Sequence, residues 1–386
     1  MSSPGASRRG ILFVTPWLLA GGIERVIEHS VPWLRARGYR CEVASWSVAP
    51  HIAGQPNPVL VTLAAADIPV RSLRSRGRLQ LLQRAVRAAA LALKGRHRLL
   101  VGYELEGNLV ALLAKRLLGG RVRVMAQIHC ASAIHAEIGT SPRLLRLARR
   151  LYRDADLLVG VSESVRQDSI RFFRLDPSRV VTLYNPLRVS WIREMARQET
   201  HLPVQPTVPF VVGCGRLVRL KGFSDLLRAF AIVRSYRPLQ LVILGEGPER
   251  ANLVAAAHSE GVEQDVYLPG FVTNPWSYFR RASAFVLSSL SESFSMVLVE
   301  AMACGVPVIA SRCEWGPEEI LDRGKYGLLY EPGDVDGLAR NLKTVLDAPR
   351  EESFLTTAAL RRAEEFSHDA VLPALERQIA GLLERG

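Results

Sequence analysis

Apolar runs of strand length alternate with amphipathic helical stretches along almost the whole chain. Runs of this kind are typical of strands buried in a parallel sheet, with helices as the crossover connections. The predicted strands span 10–15, 41–46, 98–103, 122–128, 156–161, 180–183, 209–214, 240–245, 265–268, 284–287, 306–310 and 327–330. The pattern predicts an α/β protein made of two successive βα arrays, each opening with a strand and a glycine loop.

A proline-rich segment, His201–Pro209, separates the two arrays and reads as a linker between domains. At 386 residues the chain is long enough for two domains with full cores. We therefore predict one domain over residues 1–200 and a second over residues 207–368. The last stretch, 369–386, is predicted to be an amphipathic helix, because apolar residues recur at helical spacing at Val371, Leu375, Ile379, Leu382 and Leu383.

Two carboxylates flank a predicted helix start in the segment Glu292–Ala310. Glu292 falls in the loop before the helix, Glu300 lies inside it, and Gly305 ends it ahead of a buried strand. The apolar residues that suit a helix packed on a sheet are Phe294, Met296, Val297, Val299 and Met302. A helix N-terminus favours an anion, and the two carboxylates suit the hydroxyl groups of a sugar and a ribose.

A glycine loop that contains Arg216 and Lys221 follows the strand Phe210–Val212. In Gly213–Gly222 the Arg216 guanidinium would supply a rigid fork for phosphate oxygens, and Lys221 would supply a point charge. The glycines would allow the backbone to approach a phosphate closely. The alternative is a pair of surface cations beside a strand end.

Taken in order, these segments resemble the E-x7-E signature and its companion motifs in retaining glycosyltransferases of family 4, which have the GT-B fold. The resemblance covers nearly the whole chain. It rests on a glycine loop at Gly21–Arg25, the phosphate-gripping loop at Gly213–Gly222, two segments that frame the nucleotide base at Leu244–Pro248 and Leu268–Gly270, and Gly316–Leu321. The last of these resembles the version common in bacterial polysaccharide, lipopolysaccharide and lipid-linked oligosaccharide assembly.

The resemblance implies two Rossmann-like domains with parallel sheets that face each other across a cleft. Residues 1–200 would bind the acceptor, residues 207–368 would bind the nucleotide-sugar donor, and helix 369–386 would cross back to the first domain. The implied reaction is transfer of a sugar, with retention, from a nucleotide donor. The donor is expected to be a UDP-sugar and the acceptor a lipid-linked glycan or polysaccharide of the bacterial cell surface.

The resemblance also implies roles for individual residues. The catalytic set would be His129, Arg216, Lys221 and Glu292. Arg216 and Lys221 would grip the donor pyrophosphate, Glu292 would hold sugar hydroxyls, and His129 would face the donor sugar. The donor-binding residues would be Gly21, Gly22, Gly215, Gly245, Leu268, Phe294, Ser295, Met296 and Glu300, the last holding the ribose.

The chain departs from the family pattern in one place, since Ser293 and Ser295 replace the glycines usual in E-G-F-G. Their hydroxyl groups would add hydrogen bonds or crowd the sugar, which leaves the donor's identity open. Trp17, Arg25 and Glu104 are looser candidates for the acceptor side. Glu104 and Glu106 also fit plain carboxylates at a strand end.

No metal and no cofactor are expected. The chain lacks a D-x-D motif in a suitable loop and any His, Cys or carboxylate cluster with metal spacing. Its five cysteines are scattered, which argues against a disulfide framework and favours a reducing compartment. The first glycine loop lacks the G-x-G-x-x-G fingerprint of a dehydrogenase.

The net charge of +13 is uneven, because residues 1–190 contain 29 Lys and Arg against 12 Asp and Glu, and the remainder contains 21 against 25. A basic first half is expected to meet an anionic partner, although a solvated arginine-rich surface is the alternative. Basic stretches at 71–93, 143–153 and 166–174 carry apolar residues that suit an anionic membrane face. No apolar run approaches the ~20 residues of a membrane span, so we expect a cytoplasmic protein at the inner face of the cytoplasmic membrane.

Two other functions remain open at this point. A nucleotide-sugar epimerase on the same fold would turn over without an acceptor. A non-enzymatic scaffold or nucleic-acid binder would use the basic half. The basic stretches lack the interleaved aromatic residues of a stacking platform, so no nucleic-acid partner is expected.

Overall fold

The computed structural model describes residues 9–19, 21–52, 54–77, 79–132, 135, 139–198, 208–348 and 354–385. Its contacts divide the chain into two compact units, one formed by residues up to Pro186 together with the segment from His368, the other by Leu187–Ser367. The division comes earlier than the predicted residue 200, because helix Val189–Arg197 packs inside the second unit. Most of the predicted linker lies outside the described residues.

In the described part of the first unit, seven parallel strands form one sheet in the order β5-β2-β1-β6-β7-β8-β9. Two further strands, β3 and β4, form a short antiparallel hairpin. The strands are β1 Gly10–Leu18, β2 Arg40–Val48, β3 His51–Ile52, β4 Gln55–Pro56, β5 Val70–Ser72, β6 Leu99–Tyr103, β7 Arg123–Ile128, β8 Leu157–Gly160 and β9 Val180–Thr182. The pattern analysis missed β3, β4 and β5, since each has only two or three residues and β5 is largely exposed.

Seven α-helices of this unit are described, and local sequence signals mark where two of them begin. They span Gly22–Ala36, Pro58–Ala65, Gln80–Lys94, Glu104–Leu117, Pro142–Leu151, Glu163–Phe173 and His368–Glu384. Asn57 caps the second of them and Ser162 the sixth, each by accepting a backbone N–H from the first turn. The terminal helix buries Val371, Leu372, Leu375, Ile379 and Leu382, nearly the set that its periodicity predicts.

The described strands of the second unit are also all parallel, in the order β12-β11-β10-β13-β14-β15. They are β10 Phe210–Cys214, β11 Gln240–Leu244, β12 Val266–Gly270, β13 Ala284–Leu287, β14 Val308–Ser311 and β15 Leu328–Tyr330. The helices are Val189–Arg197, Phe223–Arg234, Arg250–Ser259, Trp276–Arg281, Met296–Ala303, Pro317–Ile320, Val335–Asp347 and Phe354–Glu364. The parallel α/β architecture predicted from the sequence is confirmed.

Both sheets reverse their strand order once, between β1 and β6 in the first unit and between β10 and β13 in the second. In open α/β sheets the crevice at the carboxyl ends of such strands is where ligands bind. In the second unit those ends are Cys214 and Leu287, and in the first unit they are Leu18 and Tyr103. Of the sequence-predicted site residues, Gly21, Gly215, Lys221 and Glu292 lie in the loops that leave three of these strands, whereas His129 follows β7 and Gly245 follows β11. Among the described helices, none combines the length and apolarity that crossing a membrane requires.

Candidate functional site

Glycines allow the loops that leave β10, β11 and β12 to pack in direct backbone contact. Gly215 N–H donates to the Leu244 carbonyl at 2.9 Å, and Gly245 N–H donates to the Gly270 carbonyl at 2.8 Å. Gly245 has a φ of +135°, and a Cβ there would lie 1.9 Å from the Gly215 carbonyl oxygen. No other residue fits that position. The structure therefore brings the predicted Gly215, Gly245 and Leu268–Gly270 segments to one edge of the second sheet.

Lys221 is held at the same edge by a second tight contact between loops. It ends the short 3₁₀ turn Arg219–Lys221, and the next residue, Gly222, has a φ of +60°. A Cβ on Gly222 would lie 2.0 Å from the Ser288 carbonyl oxygen. Ser288 Oγ donates to the Lys221 carbonyl at 2.8 Å. The β10 loop is thereby fixed against the β13 loop, which carries Glu292.

Lys221 and Glu292 form an ion pair at this edge. Lys221 Nζ lies 2.5 Å from Glu292 Oε1, and Ser289 Oγ donates to the same oxygen at 2.8 Å. Glu292 is buried, so the ammonium group compensates a carboxylate that would otherwise lose its hydration unpaired. Lys221 has two further N–H donors for an incoming anion, while Glu292 keeps acceptor capacity for a hydroxyl group. Two of the four residues that sequence analysis placed in the catalytic set thus form a direct contact.

Arg216 stands on the same loop with an exposed side chain. Within the described residues its guanidinium makes no hydrogen bond or ion pair. Its five N–H donors are therefore open to a ligand, whereas Lys221 uses one of its three donors on Glu292.

Helix Met296–Ala303 begins where the sequence predicted and carries Glu300 in its interior. Glu300 is only 3% exposed, and Trp276 Nε1 donates to its Oε2 at 3.0 Å. The Trp191 ring packs edge-on against Trp276, with ring centroids 4.8 Å apart. Sequence analysis missed Trp276, because nothing in its own neighbourhood along the chain points to Glu300.

Two predicted donor-binding side chains face the core instead of a ligand. The ring of Phe294 is buried and packs on Phe366 at 5.5 Å, which leaves its backbone as the part available to a ligand. Leu268 lies in β12 and packs against the hydrophobic core of the second unit. Its carbonyl accepts a hydrogen bond from Arg250 Nη2 at 2.6 Å, a contact that the pattern did not indicate.

In the first unit, Gly21 caps helix Gly22–Ala36, and both glycines are exposed. Gly21 has a φ of −121°, an extended conformation that any residue adopts. A Cβ at Gly21 would lie 2.6 Å from Glu24 Oε2, so a larger residue there would displace the Glu24 carboxylate. Glu24 Oε1 in turn accepts the Leu19 N–H at 3.2 Å. Of the looser candidates near this loop, Trp17 is exposed and Arg25 is half-buried.

His129 follows β7 and is 6% exposed. Its Nε2 lies 3.2 Å from Gln127 Oε1, and its ring is 5.6 Å from that of Tyr103. Burial lowers the pKa of His129 to about 3, because the charged imidazolium would lose its hydration. The imidazole is therefore neutral at ordinary pH and can exchange hydrogen bonds, but it brings no positive charge to the site.

Glu104 opens helix Glu104–Leu117 at the carboxyl end of β6, with a φ of +60°. The Cys130 thiol lies 3.5 Å from its Oε2. Burial raises the pKa of Glu104 to about 7, and the nearby charge of Glu24 adds to the rise. A carboxyl group that titrates near neutrality beside the strand-order reversal is a functional candidate. The sequence offered only a strand-end carboxylate.

Replacing Glu104 with Gln is expected to change how stability depends on pH. Because the folded-state pKa of Glu104 is raised, its protonated form is favoured on folding, and stability is lost as pH rises from about 4.5 to about 7. This loss is on the order of 3 kcal/mol for a shift of that size. Urea unfolding at pH 4.5 and 8 should show that the free energy of unfolding of Glu104→Gln exceeds that of the wild type only at the higher pH. Glu106→Gln serves as the control.

An unchanged difference in unfolding free energy between Glu104→Gln and wild type at the two pH values would contradict this assignment. His129 acts in the opposite direction, since its folded-state pKa is lowered and stability is lost as pH falls below about 6.5. Because the wild type and Glu104→Gln both contain His129, comparing their unfolding free energies at the same pH cancels the contribution of His129.

Comparison with known proteins matches each half of the chain to a glycosyltransferase family. Residues 21–186 match the family described as "Glycosyl transferase 4-like domain", and residues 195–362 match "Glycosyl transferases group 1".

Within the described residues, no group of three or more His, Cys, Asp or Glu side chains is placed to hold a metal ion.

Two curated relatives are bacterial glycosyltransferases. The first, from Campylobacter jejuni, is N-acetylgalactosamine-N,N'-diacetylbacillosaminyl-diphospho-undecaprenol 4-alpha-N-acetylgalactosaminyltransferase. It is 30% identical over 261 residues, which are 67% of this chain and 70% of that protein. The second, the lipopolysaccharide core biosynthesis glycosyltransferase LpsD of Rhizobium meliloti, is 32% identical over 191 residues, which are 48% of this chain and 54% of its own.

Among solved structures, the HepE protein of Anabaena in complex with UDP-glucose superimposes with a TM-score of 0.78. It is 21% identical and the alignment covers 98% of this chain and all of HepE, a likeness that establishes the fold. The two parallel sheets, the ordered motifs and the Campylobacter relative agree. This chain belongs to the family 4 type of glycosyltransferases with the GT-B fold.

Proposed function

We propose that the chain transfers a sugar from a UDP-sugar to a lipid-linked or polysaccharide acceptor in bacterial cell-surface glycan synthesis, with retention of configuration. The names of the Campylobacter and Rhizobium relatives support the acceptor class. UDP-glucose in the HepE complex supports the donor class. The single observation that carries the proposal is the Lys221–Glu292 pair, which joins a half-buried cation suited to a phosphate and a buried carboxylate suited to hydroxyl groups at a strand-order reversal.

In this proposal the diphosphate of the donor lies against Arg216, Lys221 and the start of helix Met296–Ala303. Guanidinium, ammonium and free N–H groups all favour an anion there. Glu292 accepts hydroxyl groups of the transferred sugar, and Glu300, steadied by Trp276, accepts those of the ribose.

The proposed reaction needs no dedicated base. The acceptor hydroxyl oxygen attacks the anomeric carbon on the face that the diphosphate leaves, so the new glycosidic C–O bond forms as the C–O bond to phosphate breaks. The hydroxyl proton passes to the departing phosphate oxygen. Charge that develops on the leaving group is met by Lys221 and Arg216, which act as fixed electrostatic stabilisers in place of a divalent ion. A contact of the neutral His129 imidazole with the donor sugar stays a prediction from the sequence.

The reaction is tested by thermal shift with a panel of sugar nucleotides, followed by transfer of radiolabelled sugar to membrane lipid. Labelled product should form with a UDP-sugar, and excess chelator should leave the rate nearly intact. NMR of the product should show the donor's anomeric configuration. An inverted anomer, or a strict and restorable need for Mg²⁺ or Mn²⁺, would contradict the proposed chemistry. Turnover without any acceptor would favour an epimerase.

We also propose that the first unit docks on the anionic inner face of the cytoplasmic membrane. Of the three basic stretches, the first is best supported. Helix Gln80–Lys94 packs its small residues, Ala85, Ala88, Ala89 and Ala92, against the core. Four large apolar residues, Leu79 just before the helix and Leu82, Val86 and Leu93 within it, are each about half exposed or more, while Leu81 and Leu91 are half-buried.

Positive charge surrounds this apolar stripe. The exposed cations near it are Arg74, Arg76, Arg87 and Lys94. Arginines 74, 76 and 87 line a cavity with Trp46, whose ring lies 4.3 Å from the Arg84 guanidinium. Apolar residues flanked by cations suit the interface of an anionic bilayer. The second stretch fits less well, since Ala148 and Leu151 of helix Pro142–Leu151 are buried, against the expectation of an apolar outer side.

Sedimentation with anionic vesicles tests the docking face. The wild type should co-sediment at low salt and be released by added salt. The double variant Leu82→Glu/Val86→Glu should bind at least about 10-fold more weakly, because each side chain loses interfacial burial and adds a negative charge. Val254→Glu, at an equally exposed apolar position of the second unit, is the matched control. Equal sedimentation of the double variant and the control would remove this helix as the docking face.

A further inference from the structure

The loop that carries Glu292 contains five serines between residues 288 and 295, and they fall into two groups. Ser288 Oγ donates to the Lys221 carbonyl and Ser289 Oγ to Glu292, so both help to build the loop. Ser293 is also engaged by a neighbouring group. Ser291 and Ser295 differ, since the hydroxyl oxygen of each is buried and has no hydrogen-bond partner among the described residues.

Ser295 combines this unpaired hydroxyl with an unfavourable backbone. Its side chain and backbone together are only 7% exposed, and its φ is +71°. A left-handed conformation is costly for a residue with a Cβ, and a buried hydroxyl without a partner is costly in its own right. Glycine would avoid both costs. Strain of this kind concentrates at functional sites, where the surrounding structure imposes it.

The surrounding structure does impose this conformation. Phe294, the preceding residue, is anchored in the core against Phe366. The backbone of Gly316 passes so close that a Cβ there would lie 2.9 Å from the Phe294 carbonyl oxygen. The loop therefore cannot relax at Ser295 without moving Phe294 or the Gly316 turn.

Ser295 also occupies a position that favours a negatively charged oxygen. It is the N-cap residue of helix Met296–Ala303, three residues after Glu292. Leu298 N–H donates to its carbonyl at 3.2 Å, but its own side chain accepts no N–H from the first turn. The backbone N–H groups of the first turn and the positive end of the helix dipole both attract an anion.

We propose that the Ser295 hydroxyl donates a hydrogen bond to a phosphate oxygen of the donor's diphosphate. The inference rests on the proposed function, because it uses the donor assigned there. A bound diphosphate would pair the hydroxyl and offset the cost of the left-handed backbone. Ser295 is then a donor-binding residue through its side chain, which a glycine at this position cannot be.

Calorimetric titration of Ser295→Ala with UDP, UDP-glucose and uridine tests the proposal. The alanine variant keeps the Cβ and the backbone strain and removes only the hydroxyl. We expect the Kd for UDP and for UDP-glucose to rise by about 10-fold to 100-fold, as for the loss of a hydrogen bond to a charged group. Binding of uridine, which lacks phosphate, should not change.

Thermal unfolding supplies a second readout. Ser295→Gly should melt a few degrees above the wild type, because it removes the strain and the unpaired hydroxyl, and should bind UDP as weakly as Ser295→Ala. Arg323→Gly is the matched control, since Arg323 is an exposed residue of the same unit with a φ of +56°. It should gain stability without losing affinity for UDP.

The outcomes of these titrations distinguish a failure of the inference from a failure of the proposed function. If Ser295→Ala binds UDP as the wild type does, the inference is overturned and the proposed function stands. If affinity falls for UDP-glucose alone, the hydroxyl contacts the sugar and the assignment to the diphosphate is overturned. If the wild type binds no nucleoside diphosphate, the proposed function fails and the inference fails with it.

Discussion

Replacing Lys221 with alanine is expected to lower kcat by about 10²–10³-fold, the loss typical when a fixed charge that stabilises a transition state is removed. Lys221 Nζ lies 2.5 Å from Glu292 Oε1. The ammonium group is proposed to stabilise the negative charge that develops on the departing diphosphate. Arg216→Ala should lose turnover on a similar scale, because its unengaged guanidinium is assigned to the same group. The measurement is the initial rate of labelled-sugar transfer at saturating donor.

The control is Arg219→Ala, which removes an exposed cation from the same short turn. Its rate should stay near that of the wild type. Lys221→Ala also leaves Glu292 buried without its partner, so circular dichroism must show that each variant is folded at the assay temperature. Near-normal rates for both Lys221→Ala and Arg216→Ala would refute the proposed stabilisation of the leaving group.

The second large effect is that replacing Glu300 and replacing Glu292 should change different constants, the donor affinity and kcat respectively. Glu300→Ala is expected to weaken donor binding by about 10-fold to 100-fold, and Glu292→Ala to lower kcat on a similar scale with a smaller change in donor affinity. Glu300 is proposed to hold the ribose, which does not react, whereas Glu292 is proposed to hold the sugar that does. Donor affinity comes from calorimetry and kcat from the transfer assay.

Trp276→Phe refines this test, because it removes the N–H donor from Glu300 and keeps an aromatic ring. It should weaken donor binding less than Glu300→Ala does. Glu314→Ala, at an exposed carboxylate of the same unit, should leave both constants unchanged. If Glu292→Ala and Glu300→Ala both keep normal affinity and normal kcat, the interpretation of the E-x7-E segment is wrong.

Lys221 and Glu292 interact directly, so the effects of replacing them should not add. They form a partly buried ion pair, and the double variant should be less impaired than the sum of the single variants. Additive losses would mean that the pair acts as two separate contacts with the donor.

Local pattern was sufficient for most of the fold. The buried strands of both sheets were predictable to within a few residues, because a strand covered on both faces must be apolar throughout. The start of the helix Met296–Ala303 and its end near Gly305 were predictable for the same local reason. Strand β5 was not, since Val70–Ser72 is short, polar and at the sheet edge, where burial imposes little on the sequence.

For helix Gln80–Lys94, hydrophobic periodicity predicts the helix but not its orientation on the core. The sequence indicates an amphipathic helix, but not which side faces the core. In the structure the fully buried residues of this helix are all alanines, while Leu82 and Leu93 are exposed, because close packing on the sheet and on helix Glu104–Leu117 favours small side chains. The division of the chain after Pro186 has a similar origin, since it depends on which neighbours helix Val189–Arg197 packs against.

The sequence by itself determined the class of fold, the family and the residues that lie in the loops at the strand ends. Those properties are local, since they follow from hydrophobic spacing, glycine positions and motifs within about twenty residues. Only the tertiary structure decided that Lys221 pairs with Glu292, that Trp276 holds Glu300 and that Ser295 is forced into a left-handed backbone with an unpaired hydroxyl. Those contacts join segments 24 to 71 residues apart or depend on core packing around the loop, and no local pattern encodes such distances.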